Sequence, residues 1–150
     1  MSGLSIDLHW QRVSPEMVTG KYNTGHDIIY NDAYELRTDA APDWGGDPEA
    51  TNPEQALAAS LSSCHMMTFL ALAAKAQWPV AVYYDHAEAF LGEHENGRMA
   101  VTELKLAPRV TFDRGFTLSD EDVEAMHERA HRYCFVANSI SAKMTITPVT

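Results

Sequence analysis

Residues 52–68 read NPEQALAASLSSCHMMT, and this stretch decides how the chain is read. Asn52 is a good helix N-cap, Pro53 suits the first helical position, and Glu54 is favourable in a first turn, where a helix presents unpaired N–H groups. Gln55 stands at the third position, as a capping box requires. Leu57, Leu61, Cys64, Thr68 and Ala71 follow at spacings of four and three, and Leu70 and Leu72 widen the apolar face. Pro79 ends the pattern. The spacing predicts a helix of roughly 25 residues, about 37 Å long. It is apolar enough to be central to the fold, with a cysteine, Cys64, in its middle.

Working outward, residues 4–13 alternate, with Ile6, Leu8 and Trp10 on one side and Asp7, His9 and Gln11 on the other, as in an edge or half-buried strand. Residues 26–37 continue a sheet. The Pro- and Gly-rich tract from Asp39 to Pro53 is a loop. Beyond the helix, residues 80–91 and 99–112 are strands joined by HENGR (residues 94–98), whose Asn-Gly pair makes an antiparallel hairpin. Ser119 caps a second helix running to Phe135, with Val123, Met126, Ala130 and Cys134 on one face. Residues 143–149 form a last strand. Strands, long helix, hairpin, helix and strand in this order define an α+β fold, and 150 residues suit a single domain over 1–150.

The net charge of −10 and the lack of any basic run exclude nucleic acid as a partner, because phosphate binding needs clustered Lys and Arg. The same argument excludes an anionic membrane surface. Residues 1–13 show no charged segment leading into an apolar one, so no secretion signal is expected. The apolar tract around residues 66–78 is interrupted by Lys75 and is read as too short to span a bilayer. The expected location is the cytoplasm, where two cysteines are core residues, metal ligands or redox groups rather than a structural disulfide.

The bland reading makes Cys64 and Cys134 buried core residues. A reactive reading needs the two thiols to meet and one of them to be held as thiolate. A second signal is HERAH (residues 127–131), a literal HExxH. On a helix it puts His127 and His131 on one face, as zinc requires, with Glu128 as base. Residues 132–150 hold no Asp, Glu or His to complete such a site, leaving Cys134 as the sole nearby substitute, and no metal or other cofactor is expected.

Two segments carry a more specific signal. NPEQALAASLSSCHMMTFLALAAKA (residues 52–76) followed by HRYCFVANSI (residues 131–140) strongly resembles the OsmC/Ohr family of thiol-dependent peroxidases. It is most similar to the OsmC-like branch with SSCHM at the first cysteine and CFxANS at the second. The resemblance covers nearly the whole chain and implies an OsmC-like fold: antiparallel sheets around a long central helix, in an intertwined homodimer with active sites at the interface. It also implies reduction of organic hydroperoxides, with Cys64 as peroxidatic thiol, Cys134 as resolving thiol and Glu54 as the glutamate that works with an arginine on the thiolate. The reductant implied is a small dithiol or a lipoylated protein.

Glu54 lies ten residues before Cys64, about 15 Å along a straight helix. It therefore acts on a Cys64 across the dimer, or the helix breaks. The family arginine is missing from KYNTGHDIIYNDAYELR (residues 21–37): Thr24 or Gly25 stands at its place, and Arg37 or Arg12 is the substitute. His26 and His65 are candidates to supply charge beside the thiol. Met66, Met67 and Phe69 are candidates to line an apolar pocket favouring organic peroxides over hydrogen peroxide. His26, Arg37, His65 and Met67 are thus the expected substrate-binding residues. Two other functions stay open: a weakly catalytic protein of the same fold that binds a small apolar ligand at the dimer interface, and a zinc hydrolase built on His127 and His131.

Overall fold

A computed structural model describes residues 3–150. The chain divides into two compact units, one ending at Ala56 and one spanning Leu57–Thr150.

The first unit holds a three-stranded antiparallel sheet of β1 (Asp7–His9), β2 (His26–Asn31) and β3 (Tyr34–Thr38), in the order β1-β2-β3. β1 is far shorter than residues 4–13. Instead of continuing the ladder, the chain is held by Asn23: Trp10 Nε1–H donates to Asn23 O (2.9 Å), and Asn23 Oδ1 accepts from the Val13 amide (2.8 Å). The alternation of Ile6, Leu8 and Trp10 finds no cover within the unit, and all three are exposed. After β3 the chain bridges in parallel to Thr51, whose carbonyl accepts from Asp39 N (2.9 Å). This leads into α1 (Pro53–Lys75). Asn52 Oδ1 caps it by accepting from the Gln55 amide (2.9 Å). The capping box is only half realised, because the Gln55 carboxamide accepts from Thr51 Oγ1 (3.2 Å) instead of reaching the Asn52 amide.

The second unit contains most of α1 and a sheet in the order β4-β5-β6: β4 (Val80–Glu93), β5 (Met99–Phe112) and β6 (Lys143–Ile146). α1 ends as a Schellman-type stop, with Gln77 at φ 60° and Trp78 N–H donating to Ala73 O (2.9 Å). β4 and β5 pair antiparallel along almost their full lengths, turning at Gly97 (φ 78°). α2 (Asp120–Tyr133) is capped by Ser119 Oγ, which accepts from the Asp122 amide (3.1 Å). It stops two residues earlier than expected, so Cys134 is its extended C-cap. β6 runs parallel to β5, which corrects the expectation of purely antiparallel sheets. α2 lies between β5 and β6 in sequence and returns the chain to the end of the sheet from which β5 starts, the crossover that parallel pairing needs.

The buried face of α1 is Ala58, Leu61, His65, Phe69 and Ala73; of the expected Leu57, Leu61, Cys64, Thr68 and Ala71, only Leu61 is fully buried, Leu57, Cys64 and Thr68 are half-buried and Ala71 is exposed. Leu61 packs with Leu104, Leu106, Cys134 and Ala137, and Phe69 with Ala73, Met126 and Ala130. Ser62 Oγ donates to Asp85 Oδ2 (2.5 Å), and Asp85 Oδ1 accepts from the Ala107 amide (2.7 Å), fixing α1 on the sheet. By length and composition α1 could cross a membrane: its most apolar 18-residue window has a mean hydropathy of 1.5. The expectation that no stretch reaches this measure is therefore corrected, although the core helix of a soluble protein meets it equally.

Candidate thiol site

Cys64 stands midway along α1, half-buried, and Cys134 is wholly buried at the end of α2. Both are free thiols, and Cys64 packs against the cluster that holds Cys134, so that each shifts the ionisation of the other. Their positions differ in consequence. Burial pushes the Cys64 thiol up, but the Val136 amide, the Cys134 thiol and the Phe135 amide together outweigh it, so Cys64 ionises below the ordinary thiol value. For Cys134 burial is again the largest influence, and the neighbouring Cys64 adds to it, so this thiol ionises above the ordinary value. The Ala137 amide also lies 3.4 Å from Cys134 Sγ. The chain therefore turns at Cys134–Ala137 so that its free amides face sulfur, which is how a helix end or turn stabilises an anion. Of the two, Cys64 is the readier to exist as thiolate and Cys134 the readier to keep its proton.

His65 and His127 form a second polar pair in the same unit. His65 Nε2 and His127 Nδ1 are 2.9 Å apart, and both rings are buried. The rings lie nearly parallel, Phe69 stacks on His127 with centroids 4.4 Å apart, and Tyr83 stands beside them. Burial lowers His65 to about 4, with His131 adding to the effect and Asp85 opposing it. Burial and then His65 lower His127 to about 4. Both rings are thus neutral at pH 7, and His65 supplies no positive charge to Cys64.

Because the folded values are lowered, the unfolded chain takes up protons first as pH falls below about 6.5. The stability contributed by the neutral pair is then lost progressively down to about pH 4, at about 1.4 kcal/mol per ring per pH unit. Urea midpoints measured from pH 7 to 4.5 will fall accordingly. In a His65→Gln/His127→Asn variant, which keeps a hydrogen bond without a titrating ring, that part of the slope will disappear.

The remaining expected residues are placed as follows. Glu54 lies in the first turn of α1, half-buried, and its Oε2 has no hydrogen-bond partner among the described residues. α1 is unbroken from Pro53 to Lys75, so the helix does not bend to bring Glu54 to the Cys64 of its own chain. His26 and Arg37 lie in the sheet of the first unit. His26 Nδ1–H donates to Thr24 O (2.8 Å), and Thr24 Oγ1 donates to Asp39 Oδ1 (2.5 Å). That bond, with the Asp47 amide, holds Asp39 below the usual carboxylate range. Arg37 lays its guanidinium directly on Gly25, where any Cβ would collide with Nη2, and it sits 3.8 Å from Asp27 Oδ1. Met67 is exposed and Met66 half-buried, but Phe69 is fully buried in the core, so it lines no open pocket. His65 is buried likewise and meets His127 rather than solvent.

His127 of the HExxH segment is buried, and its Nδ1 bonds His65. Among the described residues no three His, Cys, Asp or Glu side chains come together as a metal set. The His65–His127 pair escaped the sequence reading. Its signal was the run Leu61, His65, Phe69, Ala73 at spacings of four, which places a histidine on the buried face.

A family model for OsmC-like proteins matches residues 46–149. Among solved structures, the chain is similar to an OsmC-like protein of unknown function from Vibrio cholerae, with 32% identity and a TM-score of 0.92 over 99% of this chain and 100% of that one. It is also similar to organic hydroperoxide resistance proteins from Elizabethkingia anophelis (19% identity, TM-score 0.70, covering 99% of each chain) and Bacillus subtilis (15%, TM-score 0.70, covering 97% and 96%). Among curated proteins none matches. The two segments around the paired thiols, the α+β architecture and the match over residues 46–149 agree, and the chain belongs to the OsmC-like family.

Proposed function

We propose that the protein is a cysteine-based peroxidase that reduces organic hydroperoxides. The observation that carries the reading is that a half-buried Cys64, inclined to ionise, packs on the cluster that holds a buried Cys134, inclined to stay protonated. In the proposed cycle the Cys64 thiolate attacks the terminal peroxide oxygen. The O–O bond breaks, the alkoxide leaves and takes a proton as the alcohol, and Cys64 becomes a sulfenic acid. The Cys134 sulfur, giving up its proton, then attacks the Cys64 sulfur, so that a disulfide forms and water leaves. A small dithiol or a lipoylated protein returns both thiols by exchange.

The working form is a cytoplasmic homodimer in a single-domain arrangement, and Glu54 acts on the partner's thiol. The carboxylate oxygen of Glu54 that lacks a donor within the chain supports this reading. Arg37 replaces the family arginine: its guanidinium occupies the space over Gly25, beside the position where that arginine is expected. The relatives named for hydroperoxide resistance support the substrate class. The competing reading, a weakly catalytic binder of an apolar ligand, is favoured by one observation: Thr24, one of the two positions where the arginine is expected, is committed to bracing Asp39.

A Cys134→Ser variant separates the two. Treated with one equivalent of cumene hydroperoxide and then dimedone, it will carry one dimedone adduct at Cys64, and the native protein will carry none because its disulfide closes first. An unmodified variant would favour the binder.

A further inference from the structure

We propose that the buried His65–His127 pair is the positioning element that holds Cys134 in register with Cys64. The inference rests on the thiol-pair reading above. His65 follows Cys64 directly on α1, so fixing His65 fixes the height of Cys64. His127 precedes Cys134 by seven residues, two turns of α2, and therefore shares its face. Ala130, fully buried between them, lets that face lie close to its neighbours. On either side of the pair the contacts are apolar: Leu61, Leu104, Leu106 and Cys134 in one cluster, Phe69, Ala73, Met126 and Ala130 in the other. Apolar contacts are not directional and tolerate a slip of one helix along another. A hydrogen bond of 2.9 Å between two rings does not. A disulfide demands Cα atoms within about 7 Å and a narrow torsion, so a small slip of α2 takes Cys134 out of reach.

The chemistry of the pair argues for specificity over stability. Two neutral imidazoles carry two ring N–H groups. One is used between the rings, so one N–H and one lone pair remain, at His65 Nδ1 and His127 Nε2. Both atoms are buried without a partner among the described residues. An unpaired buried polar atom is a cost that apolar side chains of the same size would not carry. Polar pairs retained at such a cost can fix one arrangement among several apolar ones.

The test compares the native protein, a His65→Leu/His127→Phe variant, and a His65→Gln/His127→Asn variant in a glutathione redox buffer. In that buffer the Cys64 thiolate displaces one glutathione thiolate from glutathione disulfide. Cys134, losing its proton, then displaces the second from Cys64, so two protein thiols are oxidised and one disulfide is reduced. The equilibrium gives the effective concentration of one thiol at the other without any peroxide chemistry, and urea midpoints are measured alongside. The apolar variant is expected to keep its urea midpoint or raise it while its effective concentration falls at least about tenfold. The Gln/Asn variant, whose amides stand at the His65 Nε2 and His127 Nδ1 positions, is expected to restore it. An apolar variant with the native effective concentration overturns the proposal. His127→Met, which breaks the bond but keeps one ring, serves as a second breaking variant if the apolar pair does not fold. A native protein that forms no internal disulfide in this buffer would instead overturn the thiol-pair reading, a result distinct from equal values in all variants.

Discussion

A Cys64→Ser variant will consume organic hydroperoxide at least about a thousandfold more slowly than the native protein, the order of loss seen when a nucleophile is removed. The expectation follows from the division of labour between the thiols. Cys64 is half-buried, and its thiolate is favoured by the Val136 amide, the Cys134 thiol and the Phe135 amide against the opposing effect of burial. Serine cannot replace it, because an alcohol at neutral pH has almost none of the anion that attacks the O–O bond. Cys134 cannot take over, because it is wholly buried and burial favours its thiol form. Peroxide consumption at saturating dithiol is the measurement. A variant retaining a tenth or more of the native rate would move the nucleophile elsewhere.

Replacing Phe69 by alanine will destabilise the protein by about 3–5 kcal/mol, the usual cost of emptying an aromatic core site. Phe69 is completely buried among Ala73, Met126 and Ala130, stacked on His127 at 4.4 Å and tilted against Tyr83 at 5.7 Å between centroids. The void would border the His65–His127 bond, so the loss will exceed that of emptying Met67, which is exposed. Urea unfolding at pH 7 measures both. Equal effects at the two positions would contradict the inward face assigned to α1.

That face is also where the sequence was hardest to read. The N-cap, the proline at the first helical position and the stop before Pro79 are local chemistry, and all three lie where the residues place them. The hairpin is equally legible, because alternating residues and an Asn-Gly turn specify it within a short span. The inward face of α1 is not local. Alanine, serine and methionine surround the helix on all sides, so periodicity offers little contrast between Leu57–Cys64–Ala71 and Ala58–His65–Ala73. Only packing against Leu104, Met126 and Tyr83 decides. The same limit hid the histidine pair, since His65 and His127 lie 62 positions apart and the HExxH pattern drew His127 toward a different chemistry. It also hid the direction of β6, which depends on where α2 returns the chain. The cysteines themselves were legible because each is embedded in a segment specific to the family. The ends of β1 were not, because Asn23 captures the chain that Ile6 and Trp10 would have kept extended.

The most direct test of the central claim is a count of free thiols per chain before and after one equivalent of an organic hydroperoxide, with Cys64→Ser as control. The account predicts that both native thiols disappear together and that the remaining thiol of the control is untouched. Two thiols that still titrate after the peroxide is added would contradict it and leave the Cys64–Cys134 contact without a redox role.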